Sequence, residues 1–101
     1  MLLFEWDPFK AKENLKTHRV SFDEASTAFR DTLSLVIYDP LHSAKEDRFV
    51  LIGSSHKNRL LVIVHTERGN YVRLISARKA TKKERNQYED NAKRSRHAGR
   101  I

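Results

Sequence analysis

The chain has 101 residues, no cysteine, and a formal net charge of +7 from 20 Lys and Arg against 13 Asp and Glu. This length fits one domain. The lack of cysteine excludes a disulfide framework, a thiolate metal site and a cysteine nucleophile. No apolar run approaches the ~20 residues that a bilayer span requires. The charge is uneven: nine basic and three acidic residues fall in 78–101, while residues 1–77 are close to neutral. A block of that kind calls for a polyanionic counterpart. The opening MLLFEWDP has an acidic residue where a secretory signal has a basic one, and no long apolar region follows. A soluble cytoplasmic protein is therefore expected, with no membrane association.

In chain order, Leu2, Leu3, Phe4 and Trp6 read as a short strand ended by Asp7-Pro8. Pro8 suits the first turn of a helix and Asp7 its cap. The helix from Pro8 to about Thr17 is expected to bury Phe9, Ala11 and Leu15, with His18 at its cationic end. Ser21 and Glu24 have capping-box spacing and open a second helix with Phe22, Ala25, Ala28 and Phe29 on its apolar face. After Asp31 the period becomes strand-like. Leu33 to Tyr38 forms a strand stopped by Asp39-Pro40. A polar stretch from Leu41 to Asp47 follows, then strands at Phe49–Ser54, Leu60–Thr66 and Tyr71–Ala77. The run LLVIV at 60–64 is the most apolar and is expected to be central. Thr81 and Glu84 repeat the capping-box spacing and open a third helix through Tyr88. The order βααββββα describes an α+β domain, a mostly antiparallel sheet with helices packed on it. The domain is placed at residues 1–90 and a basic tail at 91–101, where Lys93-Arg94-Ser95-Arg96-His97 reads as a frayed end.

The polar residues at the ends of the last two strands carry the chemistry: His65, Glu67, Arg68, Arg73 and Arg78. Strand alternation puts His65 and Glu67 on one face. A two-residue hairpin would set them beside Leu74, Ser76 and Arg78, with Arg73 opposite; an odd-length loop would deliver Arg73 instead. The return of Tyr88 towards the strand end favours Arg78. Such a group suffices for metal-independent RNA cleavage, in which a base takes the 2′-hydroxyl proton and arginines offset charge on the phosphorane. An acid then protonates the departing 5′ oxygen. The catalytic candidates are His65, Glu67, Arg78 and Tyr88. The phosphate-binding candidates are Arg68, Arg73, Lys79 and Lys82, with Tyr71 or Tyr88 to stack on a base. The three glycines are isolated, so no nucleotide cradle is expected, and neither a metal nor another cofactor is called for. His42, Asp39 and Glu46 lack metal-ligand spacing and read as a polar loop. The alternatives are a non-catalytic nucleic-acid-binding module and an interaction protein whose basic surface meets an acidic partner.

Three segments in order, FEWDPFKAKENLKTHRVSFDEA, DPLHSAKEDRFVLIGSS and RLLVIVHTERGNYVRLISARKATKKERNQYE, resemble the BrnT family of bacterial type II toxin–antitoxin systems. The resemblance covers about residues 4–89. It implies a RelE-like fold, with a small curved sheet and helices packed against it. It further implies a ribonuclease that arrests translation and is neutralised by a ribbon-helix-helix antitoxin, with two toxins on an antitoxin dimer and operator DNA bound through the antitoxin. Carried over by position, HTERG contributes His65, Glu67 and Arg68, VRLISARKA contributes Arg73 and Arg78, and ATKKERNQYE contributes Glu84 and Tyr88.

Overall fold

Asp7 ends one element and begins the next. In the computed structural model, which describes residues 2–98 and the side chains of 2–95, its carboxylate accepts from the Phe9 amide at 2.8 Å and the Lys10 amide at 3.4 Å. This cap stops β1 (Leu3–Glu5) and starts α1 (Pro8–His18), with Pro8 at the first helical position. The helix closes on Arg19 at φ 60, whose N–H bonds back to the Leu15 carbonyl. α2 (Phe22–Thr27) starts where Ser21 Oγ accepts from the Glu24 amide at 3.0 Å, and runs into a 3-10 turn at Ala28–Arg30. β2 (Leu35–Asp39) leads through the 3-10 turn Pro40–His42 to β3 (Arg48–Ser54). β4 (Leu60–Arg68), β5 (Tyr71–Lys79) and α3 (Lys82–Ala98) complete the expected βααββββα order. Among the described residues, no helix is long and apolar enough to cross a membrane.

The five strands form one open sheet in the order β1-β5-β4-β3-β2, with β1 parallel to β5 and the other pairs antiparallel. β4 sits in the middle, as its unbroken apolar run demands. One face carries α1 and α2 over the main core of Val20, Phe22, Ala25, Leu51, Leu61, Ile63, Val72, Leu74 and Ala77. The opposite face has a smaller core of Ile52, Leu60 and Val62, against which Tyr88 of α3 packs. α3 therefore covers only the end of that face nearest its own start, and the half nearest the β4–β5 hairpin is open.

α1 does not bury the stripe that its periodicity suggested. Phe9 and Leu15 are 69% and 48% exposed, and Asn14 is buried instead. β1 pairs with β5 only over residues 71–73, which leaves the outer edge of β5 bare further on. Asn14 fills that gap. Its Oδ1 accepts from the Ala77 amide at 3.0 Å, and its Nδ2 donates to the Ala77 carbonyl at 2.8 Å and the Val20 carbonyl at 2.9 Å. Satisfying buried backbone groups sets the helix orientation here, ahead of burying two more apolar side chains. At the other terminus, α3 continues through residue 90 with Ala92 buried. Lys93, Arg94 and Ser95 thus stand on a helix rather than a frayed end. The side chains of Arg96 and His97, and residues 99–101 of the expected tail, lie outside the described residues.

Candidate active site

The β4–β5 hairpin turns through Gly69-Asn70, with Gly69 at φ +59 as a glycine-first two-residue turn requires. From there the ladder pairs Arg68 with Tyr71, Glu67 with Val72, Thr66 with Arg73 and His65 with Leu74, the phase expected of this loop. The next pair is Val64 with Ser76, so Ile75 is an extra residue on β5, a β-bulge. The bulge reverses the alternation. Ala77 pairs with Ile63 on the main-core face, and Arg78 pairs with Val62 on the other. The expected grouping of Arg78 with His65 and Glu67 is therefore corrected: Arg78 lies on the face opposite His65 and shares the face of Arg73.

His65 is 1% exposed and packed between Phe29, edge-on at 4.9 Å, and Phe49, stacked at 5.9 Å. Burial holds its pKa below the ordinary 6.5, despite the Ile63 carbonyl at 3.5 Å and the Glu67 carboxylate at 3.8 Å. The ring is a neutral part of the core, and Glu67 stands exposed beside it. Arg78 is bound through both terminal nitrogens to Glu84, at 2.7 and 2.8 Å. That carboxylate also accepts from the Thr81 amide at 2.9 Å, while the Glu84 amide donates to Thr81 Oγ1 at 3.2 Å, a complete capping box. The Arg78 hydrogen bonds hold the Glu84 carboxyl down at about 2. The Tyr88 hydroxyl donates to Asp31 at 2.6 Å, and the Ser54 and Leu33 amides reach the same carboxylate at 2.9 Å. Burial alone would raise the Asp31 pKa, but these donors together hold it below its usual value. Arg78 and Tyr88 thus fasten α3 to the sheet, and Lys79 and Lys82 are exposed at that same end.

The open half of the face presents a different set. One row crosses all five strands: Glu5, Arg73, Thr66, Arg48 and Asp39 are successive cross-strand neighbours. Four interstrand steps make this row about 19 Å long. Arg73 reaches Glu5 only at 3.9 Å, and Arg48 has no carboxylate within 4 Å among the described residues. Between them, Thr66 is fully buried and its Oγ1 has no hydrogen-bond partner among the described residues. Arg68, beside the row, is paired with Glu46 through two bonds of 3.1 Å and lies 4.0 Å from Glu5. The Glu46 carboxyl is lowered by the Arg68 hydrogen bonds and by the charges of Arg73 and Arg48, so the three guanidiniums act on one region. Tyr71 is exposed next to Arg68 in the ladder.

The loop after β2 is braced against this row. His42 Nδ1 lies 2.8 Å from Asp39 Oδ2, the Tyr38 hydroxyl donates to Asp47 at 3.0 Å, and Ser43 Oγ donates to the Asp39 carbonyl and accepts from the Arg48 amide at 2.9 Å. Two guanidiniums with donors to spare, flanking a buried hydroxyl, have the chemistry to hold an anion, since the planar fork matches phosphate oxygens. Of the expected phosphate-binding residues, Arg68 and Arg73 are here, whereas Lys79 and Lys82 are at the far end. Arg48 escaped the sequence reading because the strand expected from Phe49 in fact begins one residue earlier. Thr66 reads there only as a strand end, and Asp39 and His42 only as part of a polar loop, although Asp39 closes β2. Arg48 continues the alternation of Val50 and Ile52, which was the available signal.

The family model of the ribonuclease toxin BrnT of type II toxin–antitoxin systems matches residues 6–84. Among solved structures, the chain is similar to the crystal structure of the Brucella abortus ribonuclease toxin BrnT. The two share 25% identity and a TM-score of 0.60 over 81% of this chain and 100% of that one. No curated protein matches. With the family match extending from Trp6 in the first connection to Glu84 in α3, the chain belongs to the BrnT ribonuclease toxins of type II toxin–antitoxin systems.

Proposed function

We propose that this toxin is an endoribonuclease that cleaves RNA without a metal ion, by attack of a 2′-hydroxyl on its neighbouring phosphate, and so arrests translation in the manner of RelE-like enzymes. The observation that carries this reading is the pair Arg48 and Arg73, on either side of buried Thr66 in the open half of the sheet. Each guanidinium has donors to spare, because among the described residues Arg48 has no close carboxylate and Arg73 only a distant one. A phosphodiester laid across the row receives both forks, and two fixed positive charges meet the negative charge that grows as phosphorus becomes pentavalent. Arg68 adds a third cation at the rim, and Tyr71 offers a ring on which an unpaired base can stack. In this reading Arg78 and Tyr88 position α3, and His65 is a core residue.

The antitoxin partner follows from the family; we assign it the ribbon-helix-helix type, with two toxins on an antitoxin dimer that binds operator DNA. The test is a cleavage assay on antitoxin-free protein in EDTA. Wild type is expected to cut single-stranded RNA to products ending in a 2′,3′-cyclic phosphate. Arg48→Ala and Arg73→Ala should each lose about 100-fold in rate, the typical cost of one charge-stabilising donor. RNA bound tightly but left intact by wild type would instead support a non-catalytic binding module.

A further inference from the structure

We propose that His42, held through Nδ1 by Asp39, is the proton acceptor for the 2′-hydroxyl on the open sheet face. This rests on the reading that Arg48 and Arg73 hold the phosphate. Asp39 is the last member of the cross-strand row and the direct neighbour of Arg48, so the group that His42 leans on belongs to the site itself. An ionised carboxylate only accepts hydrogen bonds, so the 2.8 Å contact means that Nδ1 carries the proton. In the neutral ring, Nε2 is then left with its lone pair free. The side chain is 65% exposed, whereas His65 is sealed between two phenylalanines. His42 also lines a depression with Ala44, Lys45, Glu46 and Arg48, which places the imidazole and one phosphate-binding guanidinium around the same space. The charged groups facing the ring are thus Asp39, Lys45, Glu46 and Arg48.

The loop that carries His42 is held more firmly than a surface histidine needs. Ser43 ties the Asp39 carbonyl to the Arg48 amide, and Tyr38 holds Asp47. Those tethers limit the freedom of the ring relative to the row, which is what a proton acceptor requires. In the reaction, Nε2 takes the 2′-hydroxyl proton, O2′ forms a bond to phosphorus, and the bond from phosphorus to O5′ breaks. A water protonates the departing O5′, and the imidazolium returns its proton to the hydroxide so formed. The products are a 2′,3′-cyclic phosphate and a 5′-hydroxyl. Asp39 stabilises the imidazolium while it exists, as an aspartate does for the histidine of a serine hydrolase.

The experiment measures pH profiles of cleavage for antitoxin-free wild type, His42→Gln, His42→Ala, Asp39→Asn, Arg48→Ala and Arg73→Ala. Binding is measured alongside with a single strand bearing 2′-deoxyribose at the cleaved position. His42→Gln should lower kcat about 100-fold or more, bind the uncleavable strand within about twofold of wild type, and lose the acid-side limb of the profile. Added imidazole should restore part of the activity of His42→Ala, and Asp39→Asn should fall between His42→Gln and wild type. Cleavage by His42→Gln near the wild-type rate with the acid limb intact, while Arg48→Ala and Arg73→Ala are inactive, overturns the role of His42 and leaves the site standing. An inactive His42→Gln that has also lost strand binding overturns it too, because the residue is then structural. Wild-type rates in Arg48→Ala and Arg73→Ala remove the site, and the proposal with it.

Discussion

Arg73 and Arg78 stand five positions apart on β5 and still face the same side of the sheet, because Ile75 bulges out of the ladder with β4. Without the bulge, an odd separation would put them on opposite faces. Their Cα atoms are about 16 Å apart along the strand, and their surroundings differ. Arg78 is saturated by Glu84, whereas Arg73 is only loosely matched by Glu5. One face thus holds an arginine that fixes a helix and another with donors to spare.

The two arginines should consequently separate stability from activity. Arg73→Ala is expected to keep the wild-type melting temperature within about 2 °C while cleavage falls about 100-fold. Arg78→Ala removes a partly exposed pair worth about 0.5–1 kcal/mol and should lower the melting temperature by several degrees, with the smaller effect on cleavage. Thermal melts read beside initial rates check both; a reversed pattern would move the phosphate site under α3.

Binding of the uncleavable strand should weaken with salt in proportion to the phosphates neutralised. Arg48→Ala is expected to reduce the slope of log affinity against log salt by about 0.7, one single-strand contact. Lys12→Ala, exposed on α1 over the opposite face, should leave the slope unchanged. Titrations at four salt concentrations distinguish the two variants.

His65 ties stability to pH near neutrality. Burial lowers its folded pKa, so between that value and the unfolded 6.5 the unfolded chain binds a proton that the folded chain does not. This contribution is intact above pH 6.5 and is lost as pH falls below it. His65→Phe should flatten the dependence in urea unfolding at pH 5 to 7, and should still cleave RNA. A pH slope that survives the substitution would have to come from another group.

The pattern of local signals explains how far the sequence could be read. The Thr81–Glu84 box formed in full, because both of its hydrogen bonds lie within one helical turn. The Ser21–Glu24 box formed by half: Ser21 accepts the Glu24 amide, but the Glu24 carboxylate is drawn to Ser55 and Arg59, more than thirty residues away. Element order survives such competition, since periodicity and caps act locally. The choice of face does not, because one inserted residue reverses it, and nothing in VRLISARK marks Ile75 as the extra one. The site suffered most. Its central row draws one residue from each strand, and three of the five, Glu5, Arg48 and Asp39, are terminal residues of their strands, where boundaries are least legible.

Glu24 gives the acid limit of the fold. It is buried, with Ser55 Oγ at 2.7 Å, Arg59 Nε at 2.9 Å and a second bond from Arg59 Nη2, and that guanidinium also reaches the Arg19 carbonyl at 3.1 Å. The Arg59 hydrogen bonds outweigh the burial that would raise the carboxyl and hold it at about 2, against an ordinary 4.5. The folded pKa being the lower one, the stabilisation is complete above 4.5 and disappears as pH falls towards about 2. Glu24→Gln should cost about 3 kcal/mol at pH 7 by stranding the Arg59 charge, the low end for a buried pair because Arg59 keeps some water contact. It should also flatten the acid unfolding curve below pH 4.5. Combined with Arg59→Met, the loss should be smaller than the sum of the two single losses, since either change alone already breaks the pair. Strict additivity in that cycle would mean that the two side chains stabilise the α2 junction separately.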